Sequence, residues 1–143
     1  MKAKILYIIL CALAFAGLAG VSSCEKMDDN GALGGNWQLL CWQSLPNGTT
    51  TATNADGIYY TIHRSTLRLR RLDLAATYLA SFAVRGDSLV LDRVFLSPYD
   101  DPATPADLAP FGFSATGRMR IVSLSSDRLV LQSDAARLTF RKY

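Results

Sequence analysis

Histidine occurs once in these 143 residues, at His63, and cysteine only three times. A hydrolytic triad needs a base that titrates near neutrality, usually histidine. No serine here sits in a Gly-x-Ser-x-Gly turn. One histidine is too few for a nitrogen- and sulfur-rich zinc site. Adjacent side chains on an extended chain point apart, so neither Asp28-Asp29 nor Asp100-Asp101 makes a natural acid–base couple. Asp100 and Asp101 could ligate calcium, but their loop lacks the dense oxygen spacing expected of such a site. The chain therefore reads as non-enzymatic, with no metal or cofactor, and His63 as a surface residue. Charge of one sign is scarce as well. Setting aside the first 23 residues leaves 120, with 13 basic against 12 acidic. A balance this even supplies no basic field for nucleic acid, and the length suits one domain. Beyond the N-terminus there is no long apolar run. Cys11 and Cys24 both belong to the N-terminal region, so Cys41 has no partner for an internal disulfide and is expected to be buried and inert.

The start of the chain is organised differently. Lys2 and Lys4 precede an apolar run from Ile5 to Ala19, broken only by Gly17. That length suits an export signal and falls short of the ~20 apolar residues of a membrane span. Val21-Ser22-Ser23-Cys24 follows and resembles the lipobox of bacterial lipoproteins, with small residues before the cysteine that accepts the lipid. The resemblance implies that residues 1–23 are a signal peptide and that Cys24 is the lipid attachment site. Segment 24–34 then becomes a polar tether, and the partner is a membrane reached through the lipidated Cys24. A single acyl chain anchors only marginally. The three chains that the resemblance implies anchor permanently. The acidic run after Cys24 resembles a surface-export signal, so the expected address is the outer membrane, with the cell surface favoured over the periplasmic face.

From residue 35 onward the dominant period is two. Thr66-Leu67-Arg68-Leu69-Arg70, Arg118-Met119-Arg120-Ile121 and Arg137-Leu138-Thr139-Phe140-Arg141 alternate apolar with polar. Such strands bury one face and wet the other, as antiparallel sheets do. Further strands are predicted over 36–43, 58–63, 77–84, 88–96 and 129–132, giving eight. The breaks between them carry turn chemistry, among them Pro46-Asn47-Gly48, Asp56-Gly57 and Ser125-Ser126-Asp127. Arg85-Gly86-Asp87 spells an adhesion tripeptide but reads better as a glycine turn. A meander of this kind predicts an all-β fold, a small up-and-down antiparallel barrel. Segment 97–117 departs from the pattern. It holds four of the five prolines, which no central strand accommodates. Within it, Thr104-Pro105-Ala106-Asp107 has the form of a one-turn helix start, with Thr104 as N-cap, Pro105 at N1 and Asp107 at N3. A long insert in a compact domain is either a lid or binding loop or a passive crossover.

Gly35-Asn36-Trp37 opens the first strand. Together with the eight-strand meander from Gly35 to Tyr143, it resembles the lipocalin-like domains of small Gram-negative lipoproteins. The resemblance implies a barrel-closing motif of Gly35, Trp37 and an arginine on the last strand that packs across the indole; Arg137 and Arg141 are the candidates, with Arg141 preferred. Trp37, Tyr60, Tyr78, Phe82 and Phe95 are expected to point inward. An eight-stranded barrel is filled by side chains or holds one small ligand, and Tyr60, Tyr78, Phe82 and Phe95 are the pocket candidates. The expected function is non-catalytic binding of a small apolar or amphipathic ligand in the barrel mouth by a monomer. The alternative is an accessory lipoprotein that docks on a protein or glycan through its outer face. Arg118, Arg120, Arg128, Arg137 and Arg141 could supply such a patch, or could simply keep the sheet soluble.

Overall fold

The computed structural model describes residues 30–52 and 57–143. The leader, Cys24 and the acidic run at 25–29 lie outside the described residues. A short 3-10 turn at Gly31–Leu33 leads into strand β1 (Gly35–Ser44). The strands that follow are β2 (Thr50–Ala52), β3 (Ile58–His63), β4 (Thr66–Arg71), β5 (Thr77–Arg85), β6 (Ser88–Ser97), β7 (Asp101–Pro102), β8 (Arg118–Leu124), β9 (Arg128–Gln132) and β10 (Ala136–Lys142). Between β7 and β8 lie helix α1 (Pro105–Leu108) and a 3-10 turn at Ala109–Phe111.

All strand pairings among the described residues are antiparallel. Neighbours run β10-β9-β8-β6-β5-β4-β3-β1, and β10 pairs with β1 to close the ring. Closure leaves the eight principal strands with no free edge. The short β2 and β7 are additions on β1 and β6. Neither shows in the sequence. Thr50-Thr51-Ala52 has no apolar alternation, and Pro102 fits a strand only at an edge such as β7.

The predicted alternation packs as expected over most of the barrel. Leu67 and Leu69 of β4, Met119 of β8, Leu129 and Leu131 of β9, and Leu138 and Phe140 of β10 are fully buried. The intervening Arg68, Arg70, Arg118, Arg120, Arg137 and Arg141 are exposed. Three bulges interrupt the period. The pairing register shifts between Leu39 and Cys41 in β1, between Ser81 and Phe82 of β5 opposite Asp92 of β6, and between Ile121 and Ser123 in β8. Each bulge inserts one extra residue and reverses the parity beyond it.

Two expectations are corrected here. Cys41 is half-buried rather than buried, because the bulge at Leu40 puts it opposite outward-facing Thr139 and turns Trp42 to the core instead. Phe95 does not point inward. The bulge at Asp92 gives the core face to Val94 and Leu96, and Phe95 sits opposite Leu79 on the outer wall.

Candidate functional site

The barrel has two ends, and the structure treats them differently. One end carries the chain entry at Asn30, the β3–β4, β5–β6 and β8–β9 turns, and Lys142. The other carries the β1–β2, β4–β5 and β9–β10 turns and the whole 97–117 segment.

The second end is plugged by that segment. Thr104 and Asp107 form a reciprocal capping box at the start of α1, and Pro105 stands in the first turn. The Asp107 carboxylate accepts from the Thr104 backbone N–H at 2.8 Å and from its hydroxyl at 2.7 Å. These bonds hold it below the usual carboxylate range. The helix and following turn push Leu108, Phe111 and Phe113 into the barrel, all buried. Tyr60 stacks on Phe113 with ring centroids 6.1 Å apart and tilts against Phe140 at 4.7 Å. Its hydroxyl donates to the Phe111 carbonyl, and complete burial pushes the phenol well above its ordinary value. Tyr78 meets Phe111 edge-on at 5.8 Å. Its pKa is raised by burial, then by the Asp107 charge and hydrogen bond. Ser133 Oγ donates to the Gly112 carbonyl at 2.7 Å. Gly112 sits at φ 84°, and a Cβ there would lie 2.6 Å from Leu138 Cδ1, so the plug's close approach depends on glycine.

Two pocket candidates are thereby corrected. Tyr60 and Tyr78 point inward but line no open mouth, because aromatic side chains of the chain itself occupy the space above them. Segment 97–117 contributes Leu108, Phe111 and Phe113 to the core, while 98–102 and 104–106 are exposed.

At the first end, Trp37 is fully buried and its indole N–H donates to the Leu33 carbonyl at 2.8 Å. The cation across its ring is Lys142, with Nζ 4.9 Å from the centroid, and the same ammonium donates to the Ala32 carbonyl at 3.0 Å. Gly35 lets it pass, since a Cβ at that φ of 120° would lie 2.9 Å from Lys142 Cε. The expected role of Arg141 in the closing motif is therefore corrected. Leu138, Phe140 and Lys142 share the inward parity of β10, whereas Arg141 faces outward and donates to Gln38 Oε1 at 3.0 Å.

Beside this closure lies an open cleft of about 590 Å³, a size within the range of small-molecule sites. Its apolar walls are Leu33 from the entry turn, Phe82, Ala83 and Val84 from β5, and Ile121 and Leu124 from β8. Asn30, Arg64 and Ser65 complete the lining. The cleft forms because β5 runs on past the β3–β4 turn and β8 runs on past its three paired positions with β6. Arg64, at the lip, holds the left-handed conformation at φ 52°, which non-glycine residues adopt rarely. Its carbonyl accepts from Asn30 Nδ2. Of the four pocket candidates, only Phe82 lines this cleft. Leu33 was hidden in what reads as tether, and the bulge at Val122 masked the inward turn of Leu124.

Phe95 lines a separate outer groove of about 390 Å³ with Arg93, Val94, Asp100 and Pro102. His63 is exposed at the end of β3. Among the described residues, no group of three His, Cys, Asp or Glu side chains could hold a metal ion, and no helix is long and apolar enough to cross a membrane.

Comparison with known proteins agrees with this architecture. A family model described as a lipocalin-like domain matches residues 19–143. No curated protein matches the chain. A crystal structure of a lipocalin-like protein from Bacteroides uniformis is similar, with a TM-score of 0.60 and 23% identity, over 79% of this chain and all of that one. An uncharacterised protein from Bacteroides eggerthii is similar at TM-score 0.53 and 18% identity, over 77% of this chain and 98% of that one. A protein from Burkholderia xenovorans is similar at TM-score 0.52 and 16% identity, over 76% of this chain and 81% of that one. The closed eight-strand barrel with its Gly35-x-Trp37 closure agrees with the match across residues 19–143, which settles the family: this chain belongs to the lipocalin-like domains.

Proposed function

We propose that this chain is a lipid-anchored, non-catalytic envelope lipoprotein, monomeric, and that its barrel binds a small apolar or amphipathic ligand in the cleft beside Trp37. The lipid anchor rests on the Val21-Ser22-Ser23-Cys24 motif. One observation supports ligand binding above the others. At the end where Asn30 enters, the barrel keeps an open, largely apolar cleft of about 590 Å³ between Leu33, Phe82, Ile121 and Leu124. An apolar wall with a few polar groups at its lip is the usual make-up of a small-molecule site. Native mass spectrometry of Glu25–Tyr143, purified from its host's extract, tests it. A retained small molecule that Phe82→Ala releases supports the reading. A clean apo mass that stays unshifted against lipid and haem mixtures overturns it. The anchor is tested separately: Cys24→Ala moves the protein from the membrane fraction to the soluble one, and continued attachment refutes lipidation.

The docking alternative has an observation of its own. On the outer wall at the plugged end, Arg68, Arg70 and Arg71 line a polar groove of about 490 Å³ with Leu72 and Leu74, which are 57% and 40% exposed. Arg71 is already paired with Asp73 at 2.6 Å, which weakens the local field. A clean apo mass combined with glycan-array binding lost in Arg68→Ala would favour this reading.

A further inference from the structure

Strands β8, β9, β10 and β1 are neighbours in the closed ring, and none of them contains an aspartate or glutamate. Arg118, Arg120, Arg128, Arg137 and Arg141 all stand exposed on the outer wall that these strands share. None of the five forms an ion pair among the described residues. Asp87, Asp127 and Asp134 are confined to the flanking turns. The pairing register orders the wall into two rows. One runs Ser88, Arg120, Gln132, Arg137, Gln43, one residue per strand from β6 to β1. The other runs Arg128, Arg141, Gln38, Tyr59, from β9 to β3. At the usual strand spacing the rows extend about 14 to 19 Å across the barrel.

Three features separate this wall from one that is merely wet. Arg128 stands directly opposite Arg141, a pairing of like charges that costs the sheet stability, whereas solubility alone is served by interspersed signs. A groove of about 550 Å³ lies over the first row, with Ser88, Thr116, Arg118, Arg120 and Gln132 in its lining and Asp134 as its one carboxylate. An anion seated there meets two guanidinium forks of the shape that carboxylates accept. Finally, the arginines are interleaved with neutral hydrogen-bonding groups. Gln38 is fixed between its neighbours, accepting from Arg141 Nε at 3.0 Å and donating to the Tyr59 hydroxyl at 3.3 Å. Tyr143, 64% exposed, meets Tyr59 edge-on at 5.3 Å, so the second row ends in an accessible aromatic face. A uniformly charged polymer calls for a cation at every step. Cations alternating with amides, beside an aromatic face, match a polymer that carries both carboxylates and hydroxyls on rings with apolar faces.

We infer that this outer wall binds an acidic polysaccharide, a chain containing uronic acid sugars laid across β8, β9, β10 and β1, with one sugar carboxylate seated between Arg118 and Arg120. The site is apart from the cleft and does not need it. It goes beyond the docking reading, which rests on the Arg68 groove of a different wall.

The test is calorimetric titration of the full chain, extracted in a non-ionic detergent, with oligomers of galacturonate, alginate and hyaluronate. Neutral dextran and polyglutamate are the comparison polymers. At least one acidic glycan should bind ahead of both, and more weakly as salt rises. Arg120→Ala should weaken that binding about tenfold, and Arg118→Ala, on the same groove, serves as the second variant. Asp134→Asn should tighten it about twofold, because it removes the one opposing charge. Unchanged thermal melts of these surface variants keep the losses from being losses of folding. No binding of any of the three glycans overturns the inference. Equal binding of polyglutamate also overturns it and makes the wall a surface for an acidic protein. Glycan binding that is lost in Arg68→Ala or Phe82→Ala but kept in Arg120→Ala would put the sugar in the other groove or in the cleft, and would overturn the inference while leaving those readings standing.

Discussion

The two ends of this barrel are built from the same meander and finish differently. At one end the chain fills its own interior. Phe111 and Phe113 descend from the 97–117 segment, and Tyr60, Tyr78 and Ser133 tie the segment down. At the other end, a single entry turn with Leu33 covers Trp37 and leaves a cleft beside it. A sheet of eight strands encloses a space just wide enough to be filled or to hold one small ligand. Here one end is filled and the other keeps a cleft, and the difference lies in the connections. A 20-residue crossover has enough apolar residues to plug an opening. The two- and three-residue turns at the opposite rim do not.

The comparison can be broken most forcefully at the plug. Phe111→Ala should cost about 3–5 kcal/mol, as expected for a fully buried aromatic, measured by urea unfolding. A loss under about 1 kcal/mol would mean that the plug is separable from the core and that this end can also open. Ser133→Ala leaves the Gly112 carbonyl and the Ala135 and Ala136 N–H groups without their hydroxyl partner. The expected cost is about 1–3 kcal/mol, read as a lower urea midpoint at unchanged slope.

The plug should also carry a pH signature. Tyr60 is held well above the ordinary tyrosine value by burial, so the folded state keeps its proton more tightly than the unfolded chain does. That contribution is intact below pH 10 and is lost as pH rises through the folded value. Absorbance titration should therefore find a tyrosine that ionises only as the barrel unfolds at high pH, and Tyr60→Phe should abolish that component. Free titration of all tyrosines in the folded protein would contradict the packing described.

The smallest effect separates two neighbours at the open end. Lys142→Ala removes a cation from the Trp37 face and should cost about 0.5–1 kcal/mol. Arg141→Ala, on the exposed outer wall, should stay within about 0.5 kcal/mol. Equal losses in thermal melts would mean that Lys142 does no more for the closure than Arg141 does.

Much of this was legible in the residues. Strand β3 was bounded correctly from Ile58 to His63, and the capped start of α1 was readable from Thr104-Pro105-Ala106-Asp107, because both depend on local patterns. The inward parity of Lys142 continues the alternation of Leu138 and Phe140 by one step. Phe95 and Leu124 were not legible in the same way. A bulge adds one unpaired residue without altering composition, and everything beyond it changes face. Leu33 was missed because an apolar pair in a polar stretch carries no period at all.

Sequence by itself determined the class: a period of two with arginines on alternate positions, and turns between. It also determined that proline would keep segment 97–117 from supplying a central strand; only Asp101-Pro102 pairs, as a short addition on β6. Which end of the barrel is open was decided only by tertiary structure. A period of two specifies which face a side chain takes but not what fills the space it faces. That depended on Gly112 passing close to Leu138, on Phe111 and Phe113 reaching Tyr60, and on β5 and β8 outrunning their neighbours. Each of these is a contact or overhang between segments distant in the chain, and a local pattern carries no information about it.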